Sequence, residues 1–183
     1  MKIDNTALVV IDVQLDYFKG GAFPLWSAKK ALAAVRRALA WARESGVPVF
    51  FIKHEGLGRE SRFLKQGSPG CNLHPGLEAR PEEPVIVKHH PDSFLETDLE
   101  ERLKARGVKL VVWTGMIAWM CVDTTVRSAK AKGFDGVLVA DATASGWLSD
   151  GRGILWPWRT QRCFLAALGT HFAKLVKSGS LAD

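Results

Sequence analysis

The sequence has no apolar run near the roughly 20 residues that a bilayer-crossing helix needs, so no membrane partner is expected. Cysteine is scarce. The three thiols, Cys71, Cys121 and Cys163, fall in separate segments and form no C-x-x-C pair. That excludes a disulfide scaffold and a structural zinc site. The N-terminus, MKIDNTALVV, lacks a basic run ahead of its apolar residues and carries Asp4 instead. It reads as a strand rather than a signal peptide, and the expected location is the cytoplasm. A dense basic tract is also missing. The net charge is +6, but Lys29-Lys30 and Arg36-Arg37 are isolated pairs without an aromatic-interleaved RNA motif. The charge therefore reads as a solvated basic surface, with no nucleic-acid partner and a bias toward anionic substrates at most. Internal repeats, linkers and low-complexity segments are absent too.

What remains is a soluble-type composition, 47% apolar and 24% charged over 183 residues. That is enough for one domain, expected over residues 1–183. Continuous apolar runs predict strands covered on both faces: 6–11, 47–53, 84–88, 108–114 and 136–140, with a short sixth at 174–177. Helical spacing predicts helices over 27–44, with Ser27 as N-cap, and over 97–106, 119–132 and 160–173. Residues 54–83 and 141–158 read as irregular, and a loop as long as the first is usually functional. Strands alternating with helices imply a doubly wound α/β domain, three layers with about six mainly parallel strands.

In such sheets the chemistry gathers at the carboxyl ends of the strands. Here those ends carry Asp12, Lys88 and, after the Gly115 turn, Cys121 near a helix start. A carboxylate can accept a thiol proton. An ammonium and a helix N-terminus favour the thiolate. These are the parts of a nucleophilic acyl-transfer site. Each residue alone also has an ordinary reading: Asp12 as a cap, Lys88 as a solvent-reaching side chain, Cys121 as a small buried hydrophobe.

Four segments in series resemble the isochorismatase-like cysteine hydrolases: ALVVIDVQLDYFKGGAFPL (7–25), VIVKHHPDSFLETDLEERLKARGV (85–108), GMIAWMCVDTTVRSAKAKGF (115–134) and VLVADATAS (137–145). The resemblance implies a six-stranded parallel sheet and an Asp12–Lys88–Cys121 triad. It also implies a non-proline cis peptide between Met116 and Ile117, and an oxyanion hole from the N–H groups of Ile117 and Cys121. Members that cut the vinyl ether of isochorismate lack the cysteine, so Cys121 points to C–N hydrolysis of a small amide, ureide or lactam. Nicotinamidase members hold a metal through an Asp-x-His after the second strand. The corresponding IKHEGLGRESRF has none, so neither metal nor cofactor is expected. The stretch looks more like a metal-free subgroup that includes streptothricin hydrolase-like proteins. That subgroup often has Thr-His where this chain has Ala118-Trp119, which leaves the substrate open. The family commonly forms dimers or larger assemblies, so a homo-oligomer is expected.

Phe18, Phe23, His54 and Trp119 are the candidates for lining a substrate pocket. His89 and His90 are adjacent on an extended segment and point apart, which argues against a shared ion. His74 and His171 read as structural or solvent-facing, Cys71 as a surface thiol, and Cys163 as buried. Trp113 and Trp41 read as core. The other tryptophans read as packing or subunit-interface residues. Two alternatives compete with the hydrolase. One is a catalytically inactive binding or assembly protein on the same fold. The other is a nucleotide-binding domain, which the absence of G-x-G-x-x-G after the first strand disfavours.

Overall fold

The structure, a computed structural model, describes residues 4–58 and 60–182. Its elements in order are β1 (Thr6–Ile11), α1 (Ala28–Glu44), β2 (Val49–His54), β3 (Val85–Lys88), α2 (Leu99–Ala105), β4 (Leu110–Met116), α3 (Asp123–Ala131), β5 (Asp135–Ala144), β6 (Leu148–Ser149), β7 (Ile154–Leu155), α4 (Pro157–His171) and β8 (Lys174–Val176). The main sheet has six strands in the order β3-β2-β1-β4-β5-β8, all pairs parallel.

Every residue of β1 is buried, because it is the inner strand between β2 and β4 and both its faces are covered. Its side chains alternate between two cores. Leu8 and Val10 join a core with Ala31, Val35, Leu39 and Ala42 of α1. Ala7, Val9 and Ile11 join the other, with Leu99 and Leu103 of α2, Val126 of α3 and Leu168 of α4. The three-layer arrangement follows from that alternation.

The strand order reverses between β1 and β4. Crossovers lead outward from β1 to β2 and β3, then return to place β4 on the other side. This reversal opens a crevice at the carboxyl ends of β1 and β4. Gly115 makes the close approach there. It pairs with Ile11 across the two strands and has φ of +129°. A Cβ at this position would collide with the Ile11 backbone.

Several sequence expectations need correction. Ser27 is not a side-chain cap: it has φ of 62° and no capping hydrogen bond, and the helix starts from its carbonyl. The helix carrying Cys121 begins with a wide π turn over Ala118–Val122 before α3. β5 does not end at Asp141. Its register with β4 slips between Trp113 and Gly115 and pairing resumes to Ala144. Asp141 instead accepts hydrogen bonds from the Ser178 N–H (2.8 Å) and hydroxyl (2.7 Å), tying the strand to the C-terminal turn. The 141–158 stretch contains the antiparallel β6–β7 hairpin. Cys71 is buried and Cys163 exposed, the reverse of the sequence reading. No helix of the described residues is long and apolar enough to cross a membrane.

Candidate active site

Asp12 is the residue after β1, with a left-handed φ of 50° that turns it out of the strand. Lys88 ends β3, two strands away. The Lys88 Nζ lies 2.9 Å from Asp12 Oδ2, and neither side chain is exposed. Lys88 donates aligned hydrogen bonds to the carbonyls of His90 (3.1 Å) and Pro91 (2.9 Å). Neither Asp12 oxygen has an aligned hydrogen-bond donor. The contact is an ion pair, and the same carboxylate acts on Cys121. The loop after β3 is held in place by α3: Thr125 Oγ1 accepts the Ser93 N–H at 3.0 Å and donates to the Pro91 carbonyl at 3.4 Å. That anchorage fixes the carbonyls that cradle Lys88.

Cys121 lies in the π turn beyond the β4 end and is only 2% exposed. A carboxylate oxygen of Asp12, a ring nitrogen of His54 and the Cys121 Sγ all lie within 4.8 Å of one another. The Met116–Ile117 peptide is cis. The Ile117 carbonyl accepts the N–H groups of Met120 and Val122, but not that of Cys121 between them.

Lys88 lowers the Cys121 pKa, the direction the sequence reading gave it, but burial outweighs that effect. Burial, reinforced by the Asp12 carboxylate, pushes the Cys121 thiol up to about 12, and Lys88 only partly opposes this. Desolvation exceeds the attraction because the site excludes water. The resting group is a thiol facing a carboxylate. Burial works against the Lys88 charge, but Asp12 and Cys121 override it and raise its pKa, so Lys88 stays an ammonium. Burial lowers the His54 pKa, Lys88 adds to that, and Asp12 opposes it, leaving a neutral imidazole at pH 7.

Among the described residues, Asp12, His54 and Cys121 form a group whose donor atoms could reach one ion. The Lys88 ammonium against Asp12 opposes a second cation there, and the arrangement is better suited to moving protons.

The pocket candidates divide. His54, at the end of β2 and paired in register with Lys88, comes to the triad residues. Phe23 stacks on Phe63 with ring centroids 4.9 Å apart, and both pack against Tyr17. Burial raises the Tyr17 pKa well above its usual value, with Cys121, Asp12 and Asp16 adding to it. Trp119 is half-buried, and its Nε1 is a buried donor without a partner. The Phe18 ring lies 4.3 Å from that of His74, in a groove with Leu25 and Trp26.

Sequence reasoning missed four residues here. Gln14, fully buried, clamps the ends of β1 and β2: its Nε2 donates to the carbonyls of His54 (2.8 Å) and Cys71 (2.7 Å), and its Oε1 accepts the His54 N–H (2.9 Å). Tyr17 and Phe63 form an aromatic cluster with Phe23. Ser145 directly follows Ala144, the partner of Met116 across the β4–β5 ladder, and its buried hydroxyl is unpartnered. The one available signal was position: Gln14 and Tyr17 follow Asp12 closely, and Phe63 lies in the long loop.

Residues 6–150 match the isochorismatase domain. The chain belongs to the isochorismatase family. It is 38% identical over 169 residues to the isochorismatase family protein YddQ of Bacillus subtilis, covering 92% of this chain and 94% of that one. It is 35% identical over 139 residues to the streptothricin hydrolase of Streptomyces noursei, covering 76% of this chain and 49% of that one. Identity to the ureidoacrylate amidohydrolase RutB of Stutzerimonas stutzeri is 27% over 179 residues, covering 78% and 71%. The solved structure of an isochorismatase from Pseudomonas putida KT2440 superposes with a TM-score of 0.90 at 32% identity, covering 98% of this chain and 91% of that one. The six-stranded parallel sheet flanked by helices is that of its family.

Proposed function

We propose that this isochorismatase-family hydrolase is a cysteine amidohydrolase that cleaves a C–N bond of a small amide, ureide or lactam through a thioester on Cys121. One observation carries the reading. A buried thiol lies within 4.8 Å of a carboxylate that has no aligned hydrogen-bond donor, and an ammonium 2.9 Å away holds that carboxylate.

In the proposed mechanism Asp12 accepts the thiol proton as the sulfur attacks the carbonyl carbon. With the thiol's pKa pushed up to about 12, proton transfer accompanies attack rather than preceding it. The N–H groups of Ile117 and Cys121 receive the oxyanion, each such donor being worth ~2.7–4 kcal/mol. The C–N bond then breaks, and Asp12 gives its proton to the departing nitrogen. Water hydrolyses the thioester. The chain supplies nucleophile, proton carrier and oxyanion donors, so the reaction as written draws on no metal or cofactor.

Phe23, His54 and Trp119, with Tyr17 and Phe63, form the proposed substrate wall. Phe18 is assigned no role in it, given its place beside His74. Relatives named for hydrolysing ureidoacrylate and streptothricin support an amide or ureide substrate. Exposed Trp26, Trp147, Trp156, Trp158 and Ile154 support a homo-oligomer, and three unpaired cysteines support a reducing compartment such as the cytoplasm.

The test is a panel of small amides, ureides and lactams assayed with the parent and Cys121→Ala, with intact-mass detection of an acyl adduct. Turnover and an adduct on the parent alone are expected. If every compound is left untouched and no adduct forms, the competing reading of an inactive binding or assembly protein takes its place.

A further inference from the structure

The proposed reaction has two halves, and they make different demands. The first needs an acceptor for the thiol proton that later protonates the leaving nitrogen. Asp12 meets both needs. The second needs a base that faces the thioester carbonyl from the side where water arrives. Asp12 is poorly placed for that. It is 0% exposed, as is the Lys88 side chain against it.

His54 is the other titratable group there: the residue as a whole is half-buried, and its ring reaches within 4.8 Å of both the Asp12 carboxylate and the Cys121 Sγ. That separation leaves room for one water between imidazole and a carbonyl carbon bonded to the sulfur, the reach a general base requires. Its Nδ1 is buried and has no hydrogen-bond partner. The ring also interacts with the His90 backbone, so Nδ1 is its unsatisfied buried atom, and buried polar atoms in that condition call for a ligand or water. The residue is also held. Gln14 bonds both its N–H (2.9 Å) and its carbonyl (2.8 Å), so its position depends on its backbone, not on its ring. Charged and titratable groups facing it are Asp12 from the end of β1, Lys88 and His89 from β3 and beyond, and Cys121 from the π turn.

We propose that His54 is a further catalytic residue, the base that activates water for hydrolysis of the thioester. The inference rests on the reading of Cys121 as nucleophile. In the step, the imidazole takes a proton from water as the oxygen attacks the thioester carbon. The C–S bond breaks, and the proton passes from the imidazolium to the departing sulfur. A carboxylic acid leaves, and the thiol is restored.

The experiment uses p-nitrophenyl acetate as an acylating probe on the parent, His54→Gln, His54→Asn and Cys121→Ala proteins. Circular dichroism melting checks that each is folded. The parent should release a burst of p-nitrophenolate and acquire an acetyl group on Cys121. Both His54 variants should still give the burst, while later turnover falls about 100-fold further than the burst rate does and the acetylated form accumulates. Added imidazole should restore turnover. Unchanged turnover after the burst in either variant overturns the proposal. So does a burst slowed as much as the turnover, which assigns His54 to binding or folding. A parent with no burst, indistinguishable from Cys121→Ala, overturns the nucleophile assignment itself and this inference with it.

Discussion

Lys88 Nζ and Asp12 Oδ2 stand 2.9 Å apart with neither side chain reaching solvent. A buried pair of this kind is costly to break from one side, because the remaining charge is stranded in a low-dielectric site. Lys88→Met should destabilise the fold by about 3–5 kcal/mol. Adding Asp12→Asn should recover part of that loss. Urea unfolding of the two single variants and the double variant checks it, and strictly additive losses would contradict the pairing. Activity should fall by orders of magnitude in each single variant and little further in the double, as for groups that act as a unit.

The Cys121 thiol predicts a pH dependence of stability. Its folded pKa, about 12, lies above the roughly 8.5 of a thiol in an unfolded chain. The unfolded state therefore releases a proton that the folded state keeps. The contribution is complete below about pH 8.5 and is lost as pH rises toward the folded value. Cys121→Ser has no group titrating in this range. The difference in Tm between parent and variant should shrink steadily as pH rises from about 7.5 to 10.5; a constant difference refutes the assignment. Alkylation at neutral pH should reach the exposed Cys163 well before Cys121.

Trp119 Nε1 and Ser145 Oγ are buried without partners. If they meet an acceptor on the substrate, Trp119→Phe and Ser145→Ala should each lower kcat/KM by about 10-fold, since one neutral hydrogen bond is worth ~0.5–1.5 kcal/mol. Stability should hold or improve slightly, because removing an unsatisfied buried polar group relieves a desolvation penalty. Steady-state kinetics on the first substrate identified, alongside thermal melts, separates the two effects. A stability loss with unchanged kcat/KM would show that the donors serve the fold.

Gln14→Leu removes three aligned hydrogen bonds that join the ends of β1 and β2 to the Cys71 turn. The strand-end groups left behind are partly enclosed, so the loss should be about 3 kcal/mol or more. Amide exchange should rise at His54 while the centre of β1 stays protected. Protection unchanged at His54 would mean that the ladder, not the side chain, holds that strand end.

The strands were legible because a continuous apolar run is what a strand covered on both faces requires, and TALVVI meets it at every residue. Their parallel sense followed from the alternation with helices, and the strand-end rule then picked out Asp12, Lys88 and Cys121 from local position alone. The fifth strand was read as stopping at 140, and only contacts between distant segments, its pairing with β4 out to Ala144 and the bond from Ser178 to Asp141, show that it continues.

The sequence by itself thus determined the layers, the strand ends and the nucleophile candidate, all of which depend on neighbours within a turn or a strand. The tertiary structure alone decided that burial raises the Cys121 pKa, that a His54 ring nitrogen comes within 4.8 Å of its sulfur, and that Gln14 holds the His54 backbone. Those properties come from desolvation and from contacts through space across segments dozens of residues apart. No local pattern encodes the water that folding removes from around a thiol.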